Sequence, residues 1–136
     1  MNTKRFILAS FIVFILYQAL DFLIHGVILG SQYMAIQNVW RPDMQKMMWI
    51  MWITTCAFSF LFVYIFSKGY EGKGIMEGVR FGLVAGLLIQ VLNFNGYVIY
   101  PIPLQLAIQW FVFGTIQITI LGLVAGLIYK PKKGKK

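Results

Sequence analysis

Acidic residues are scarce in this chain: four Asp and Glu stand against twelve Lys and Arg, with one histidine, one cysteine and four prolines. Only Asp21 of the four acids falls inside an apolar run, so the paired carboxylates of acid–base catalysis are missing there. The lone Cys56 has nothing to pair with, which excludes an intrachain disulfide or a thiolate metal site and leaves the compartment undiagnosed. A single histidine, His25, supplies one ligand where zinc wants three or four. Ser10, Ser31, Ser59 and Ser67 are scattered, and Cys56 has no histidine at a recognisable spacing for nucleophilic catalysis. The glycines of KGYEGKG (68–74) lack the strand–turn–helix setting of a phosphate loop. No catalytic residue is assigned, and no cofactor is specified.

Apolar residues make up 60% of the chain and charged residues 12%, with a mean hydropathy of +0.76. Soluble domains carry about 25% charged residues. A bilayer core about 30 Å thick needs about 20 mostly apolar residues per helix. Four stretches qualify: Phe6 to about Leu29, Met47 to Phe66, Gly78 to about Tyr100, and Leu104 to Tyr129. Their continuous apolarity excludes β-barrel strands, which alternate over about ten residues. The first run follows Lys4 and Arg5 but is too long for a signal-peptide core, and no small-residue cleavage site follows it. The expected fold is therefore a single all-α domain of four transmembrane helices.

Ten basic residues fall on one side of these spans: Lys4, Arg5, Lys68, Lys73, Arg80, Lys130, Lys132, Lys133, Lys135 and Lys136. Arg41 and Lys46 fall on the other. This asymmetry predicts cytoplasmic N- and C-termini. The tail KPKKGKK, with Lys130, Lys132, Lys133, Lys135 and Lys136, is expected against anionic lipid headgroups. It has no interleaved aromatics or folded support, so a nucleic-acid partner is not expected.

Gln18, Asp21 and His25 share one helical face at i, i+3 and i+7, and Gln90, Asn93 and Tyr97 repeat that spacing. Pro42, Trp49 and Thr54 are echoed in the same way by Pro103, Trp110 and Thr115. Such echoes suggest two like-oriented helical hairpins from an internal duplication. A rise of 1.5 Å per residue puts Asp21 and Asn93 about 20 Å from the cytoplasmic boundary. Gln105 and Gln109 reach similar depth, so an outward-opening polar cluster is expected. An ionised carboxylate in hydrocarbon costs roughly 2.5–3.5 kcal/mol on insertion scales. Asp21 must accordingly be paired, protonated or watered, with His25, Arg41 and Lys46 as candidate partners.

GLVAGL occurs at 82–87 and again at 122–127. Gly78, Gly82 and Gly86, with Gly114, Gly122 and Gly126, form small-xxx-small seams that permit close backbone approach, within the chain or between copies. Met44, Met47, Met48 and Met51 lie at i, i+3, i+4 and i+7. Thioethers bind Cu(I), but such a stripe also serves as adaptable packing, and no metal is assigned. The segment 31–46 is expected to include a short interfacial helix, and 93–103 to fray the third helix near Gly96 and stop it before Pro101.

LDFLIHG (20–26), WRP (40–42), KGYEGKG with EGVRFG (77–82), and YPIP with QWF (100–103, 109–111) together resemble a group of small bacterial inner-membrane proteins without assigned activity. The resemblance implies four spans in a bacterial inner (plasma) membrane and transfers no site residue. The leading expectation for function is a non-enzymatic homo-oligomer or accessory subunit of a larger membrane complex, with lipids as further partners. The alternatives are a small proton or cation transporter or channel using Asp21 and His25, or a quinone- or lipid-binding subunit.

Overall fold

The structure is a computed structural model that describes residues 1–131; the tail lysines Lys132, Lys133, Lys135 and Lys136 lie outside the described residues. Helix α1 spans Thr3–Asp21 and runs on as a π-helical segment, Phe22–Ile28. A short α2, Gly30–Ala35, and one 3₁₀ turn, Gln37–Val39, lead into α3, Met44–Gly69. Then come α4, Ile75–Asn93, a four-residue α5, Gly96–Ile99, and α6, Leu104–Ile128. No strand occurs among the described residues. Four helical stretches of 25 or 26 residues have mean hydropathies of 1.7 to 2.2, long and apolar enough to cross a membrane. In a bilayer the backbone must satisfy its own hydrogen bonds, which helices do.

Local signals set the ends. The Asn2 side chain accepts the Arg5 N–H at 3.3 Å and caps α1. Gly72 and Gly74 have φ of 83° and 80°, which lets the chain turn between α3 and α4. The Glu77 carboxylate closes that turn by accepting the N–H groups of Glu71 and Lys73 at 2.5 and 2.8 Å. Pro101 and Pro103 precede α6, whose start follows the extended backbone of Pro103.

The helices do not pack as two equal hairpins. The closest contact is α4 against α6; α6 also touches α1 and α3, and α1 packs on α3. A Cβ built on Gly122 would fall 2.3 Å from the Gly78 carbonyl oxygen, and one on Gly82 would fall 2.7 Å from that of Ile118. Backbone meets backbone along this seam, so dispersion replaces the hydrophobic drive that is weak between helices in lipid. The α1–α3 pair is joined instead by rings, Phe6 on Phe60 and Tyr17 on Phe58, with Ser10 and Ser59 fully buried. Both serines satisfy their hydroxyls on the carbonyl one turn back.

Two cores result. Near the chain termini, Ala9, Val13, Phe62, Val63, Phe66, Leu121, Ala125 and Tyr129 form a dry cluster. At the opposite end, Ile24, Leu29, Ile102, Leu106 and Ala107 form a smaller one, flanked by Tyr33, Trp40 and Trp110. The Arg5 guanidinium reaches the Ile128 carbonyl at 3.5 Å, which ties the start of α1 to the end of α6.

Candidate functional site

The polar residues of the spans gather around α6 as two groups. The first grows from the end of α1. Asp21 is its last regular residue, and the following π turn carries His25 so that Nε2 lies 3.8 Å from an Asp21 carboxylate oxygen. That is a charge contact beyond hydrogen-bonding distance. The other imidazole nitrogen, Nδ1, is 2.5 Å from the hydroxyl of Tyr33 on α2. Trp110 of α6 donates its indole N–H to the same hydroxyl at 2.6 Å. An indole nitrogen only donates, so the Tyr33 oxygen is an acceptor in this chain of contacts, which runs from Trp110 through Tyr33 and His25 to Asp21. The imidazole stacks on the Tyr33 ring, and Trp40 meets Tyr33 edge-on. Burial, the largest cause, pushes the Tyr33 phenol up to about 12; the Trp110 hydrogen bond works against this, and the Asp21 charge adds to it.

The second group sits on α4. Asn93, the last residue of that helix, donates its amide to the Gln90 carbonyl oxygen at 3.4 Å. Gln90 is buried against Gly114, where a Cβ would fall 2.3 Å from its amide nitrogen. Gln90, Asn93, Tyr97, Trp110 and Phe111 line a cavity of about 10 Å³, room for about one water. Trp110 thus borders both groups.

The eight polar residues read from the sequence are therefore not one hydrogen-bonded cluster. Asp21 joins His25, and Gln90 joins Asn93. Gln105 is exposed, while Gln18 and Gln109 each bury one amide atom that has no protein partner, Nε2 and Oε1. Arg41 does not reach Asp21; its guanidinium is committed to the Asp43 carboxylate at 3.1 and 3.2 Å. The glycines divide in the same way: Gly78, Gly82 and Gly86 lie against Thr115, Ile118, Gly122 and Gly126, whereas Gly114 accommodates Gln90. Lys130 is exposed beyond the end of α6. Among the described residues no three His, Cys, Asp or Glu side chains come together.

Three side chains that take part in these contacts escape a reading of the sequence. Tyr33 looks like one more interfacial aromatic, and its partner Trp110 is 77 residues away. Trp40 joins them through the fold alone. Gln117 is almost fully buried and donates to the Tyr17 carbonyl at 3.4 Å, a polar cross-link between α6 and α1; its only signal is an amide in the middle of an apolar run.

Fold and polar groups define an all-α, multi-pass membrane protein with a polar centre at the end away from its termini. No known protein family matches the chain, and neither does any curated protein or solved structure.

Proposed function

We propose that this is a non-enzymatic integral membrane protein that works in an assembly, as a homo-oligomer or as an accessory subunit of a larger complex. One observation carries the reading. From Met44 to Thr54 helix α3 is exposed on every side except at Met47, while its second half is packed. A helix that belongs to a bundle keeps one face on its neighbours. Here Trp49, Trp52 and Ile53, each about 60% exposed, leave the chain for whatever lies beside it. The glycine seam is engaged inside the chain between α4 and α6, so a neighbour would meet α3 through aromatic and branched side chains. Basic residues concentrated at the terminal end favour a cytoplasmic placement of both termini, in a membrane of the bacterial inner type. Anionic headgroups are the natural partners of the lysine tail.

The experiment is the mass of the protein extracted in mild detergent or native nanodiscs. Assemblies heavier than a single 15.6 kDa chain, lost on Trp49→Ala/Ile53→Ala, support the reading. A lone chain under every extraction condition refutes it.

A second reading is favoured by the contact of Asp21 with His25, with side chains 28% and 39% exposed inside the first span. A carboxylate and an imidazole reachable at that depth suit a proton or cation site. Proteoliposome flux that is unaffected by Asp21→Asn removes this reading.

A further inference from the structure

The first span leaves the α-helical pattern where its polar residues sit. The Leu29 N–H bonds to the Ile24 carbonyl, five residues back, at 2.8 Å, and π turns of this kind are rare and occur mostly at functional sites. His25, the single histidine of the chain, lies inside that turn. Both of its ring nitrogens have a neighbour: the Tyr33 hydroxyl is 2.5 Å from Nδ1, and the Asp21 carboxylate is 3.8 Å from Nε2.

The hydrogen-bond partners leave one favourable arrangement of protons. Trp110 donates to the Tyr33 oxygen at 2.6 Å, and an indole nitrogen accepts nothing in return. The Tyr33 hydroxyl has one proton of its own, and among the described residues its acceptor is His25 Nδ1. A proton on Nδ1 would give the Tyr33 oxygen two incoming donors and leave its own O–H without a partner, which disfavours that form by about a factor of ten. Nδ1 therefore accepts, and the imidazole carries its proton on Nε2, on the side of the Asp21 carboxylate. With Nδ1 engaged and Nε2 already protonated, the ring has no free lone pair for a further proton.

The carboxylate has free lone pairs, and its side chain is 28% exposed. Tyr17 on α1, His25 on the π turn and Tyr33 on α2 are the titratable side chains that feel its charge. Helix α6 carries no titratable residue. Neither Lys46 of α3 nor Arg41 pairs with Asp21 among the described residues. A hard metal cation surrounds itself with about six oxygens, whereas no three acids or histidines gather among the described residues, and the N–H beside the carboxylate would repel such an ion. A proton needs one lone pair only.

We infer that this site binds a proton on the Asp21 carboxylate, and that Tyr33 is the positioning residue that holds His25 as the Nε2–H tautomer beside that acid. The carboxylate becomes a carboxylic acid, while the imidazole keeps its single proton. Exchange takes place at the Asp21 end alone, because Trp110 closes the other end with a group that only donates. The inference rests on the second reading above and narrows it from a proton or a cation to a proton held at a named atom.

The test is ¹⁵N NMR of the full chain in nanodiscs with labelled histidine, where every imidazole signal belongs to His25, joined to infrared difference spectra over a pH titration. Nδ1 should give the pyridine-type signal and Nε2 the pyrrole-type signal at neutral pH. The excess of that tautomer should fall about tenfold in Tyr33→Phe and persist in Asp21→Asn; a merely structural part for the tyrosine would not move it. On acidification a protonated-carboxyl band, missing from Asp21→Asn, should reach completion before imidazolium signals appear. The inference is overturned by a pyrrole-type Nδ1 in the native chain or by imidazolium signals ahead of that band. It is equally overturned by a tautomer that is unchanged in folded Tyr33→Phe or lost in folded Asp21→Asn. Circular dichroism establishes folding, and the native-chain spectra decide the matter where a variant fails to fold. Proteoliposome flux unaffected by Asp21→Asn, with the spectra as expected, would remove transport and leave the bound proton, so the two failures are distinguishable.

Discussion

Adding one methyl group at Gly122 puts the packing of this fold to a direct test. A Cβ there would lie 2.3 Å from the Gly78 carbonyl oxygen, 2.6 Å from the Gly82 Cα and 2.8 Å from the Gly82 nitrogen. All three obstacles are backbone, so no rotamer change can relieve them. Ordinary contact begins near 3.4 Å, and α4 and α6 must therefore part by about 1 Å. A gap of 0.5–1 Å forfeits a quarter to a half of each dispersion contact, worth about 0.1–0.2 kcal/mol per atom pair. Over the few tens of atom pairs in such a seam this amounts to about 1–2 kcal/mol, and overpacking strain adds about 1–3 kcal/mol. Gly122→Ala should cost about 2–5 kcal/mol in reversible unfolding followed by steric trapping or SDS titration. Gly114→Ala provides the contrast, because the three atoms nearest its new Cβ all belong to the Gln90 side chain, 2.3 to 2.9 Å away. Gln90 can swing aside, so the expected cost is about 1 kcal/mol, that of a displaced buried amide. Gly69→Ala meets nothing within 4 Å and should be neutral or mildly stabilising. Equal stability of Gly122→Ala and Gly69→Ala would refute close backbone packing as the basis of the second hairpin.

Three further outcomes follow from particular contacts. Tyr33 should titrate near pH 12 by tyrosinate absorbance, against about 10 when unfolded; a raised folded value means that its contribution to stability is complete below pH 10 and is lost as pH rises through about 12. Removing the indole donor in Trp110→Phe should move that titration higher still, and a downward shift would contradict the assigned hydrogen bond. Glu77→Ala should release the Glu71 and Lys73 amides, raising their hydrogen-exchange rates about tenfold or more, the equivalent of about 1.5 kcal/mol for bonds to a charged acceptor. Gln117→Leu should alter stability by no more than about 1 kcal/mol, because the lone 3.4 Å bond to Tyr17 is weak and Leu suits the buried site; a larger loss in unfolding would assign the amide a greater part in holding α6 to α1.

The four helices were legible because length and continuous apolarity are properties of single segments, which the chain displays without reference to its fold. The observed helices begin three residues before the sequence estimates at Thr3, Met44 and Ile75, since polar first turns at the water boundary lower hydropathy without breaking the helix. The break near Gly96 and the stop before Pro101 were legible for a similar local reason. Partner choice was not legible. GLVAGL names a residue type suited to close approach, but only the fold puts both copies on one seam. Asp21 was readable as a costly acid, and His25 one turn away as its neighbour. Tyr33 and Trp110 were not, because a contact across 77 residues leaves no periodic trace. Nor does spacing reveal that Trp49 stays 62% exposed while Trp110, at the matching position, is drawn in by Tyr33.

Helix α6 touches α1, α3 and α4 and makes the closest helix contact, with α4, which also meets α3 through Phe81 on Phe62 and Phe66. It is also the last of the four to leave the ribosome, where synthesis proceeds at about 5–20 residues per second. The earlier helices must therefore wait in the bilayer joined mainly through rings, Tyr17 on Phe58 and Phe81 on Phe62 and Phe66, with Gly78, Gly82 and Gly86 not yet covered by α6. Insertion and assembly are thus separate events in this protein, and the interval between them is when a membrane chaperone or a quality-control protease would meet it.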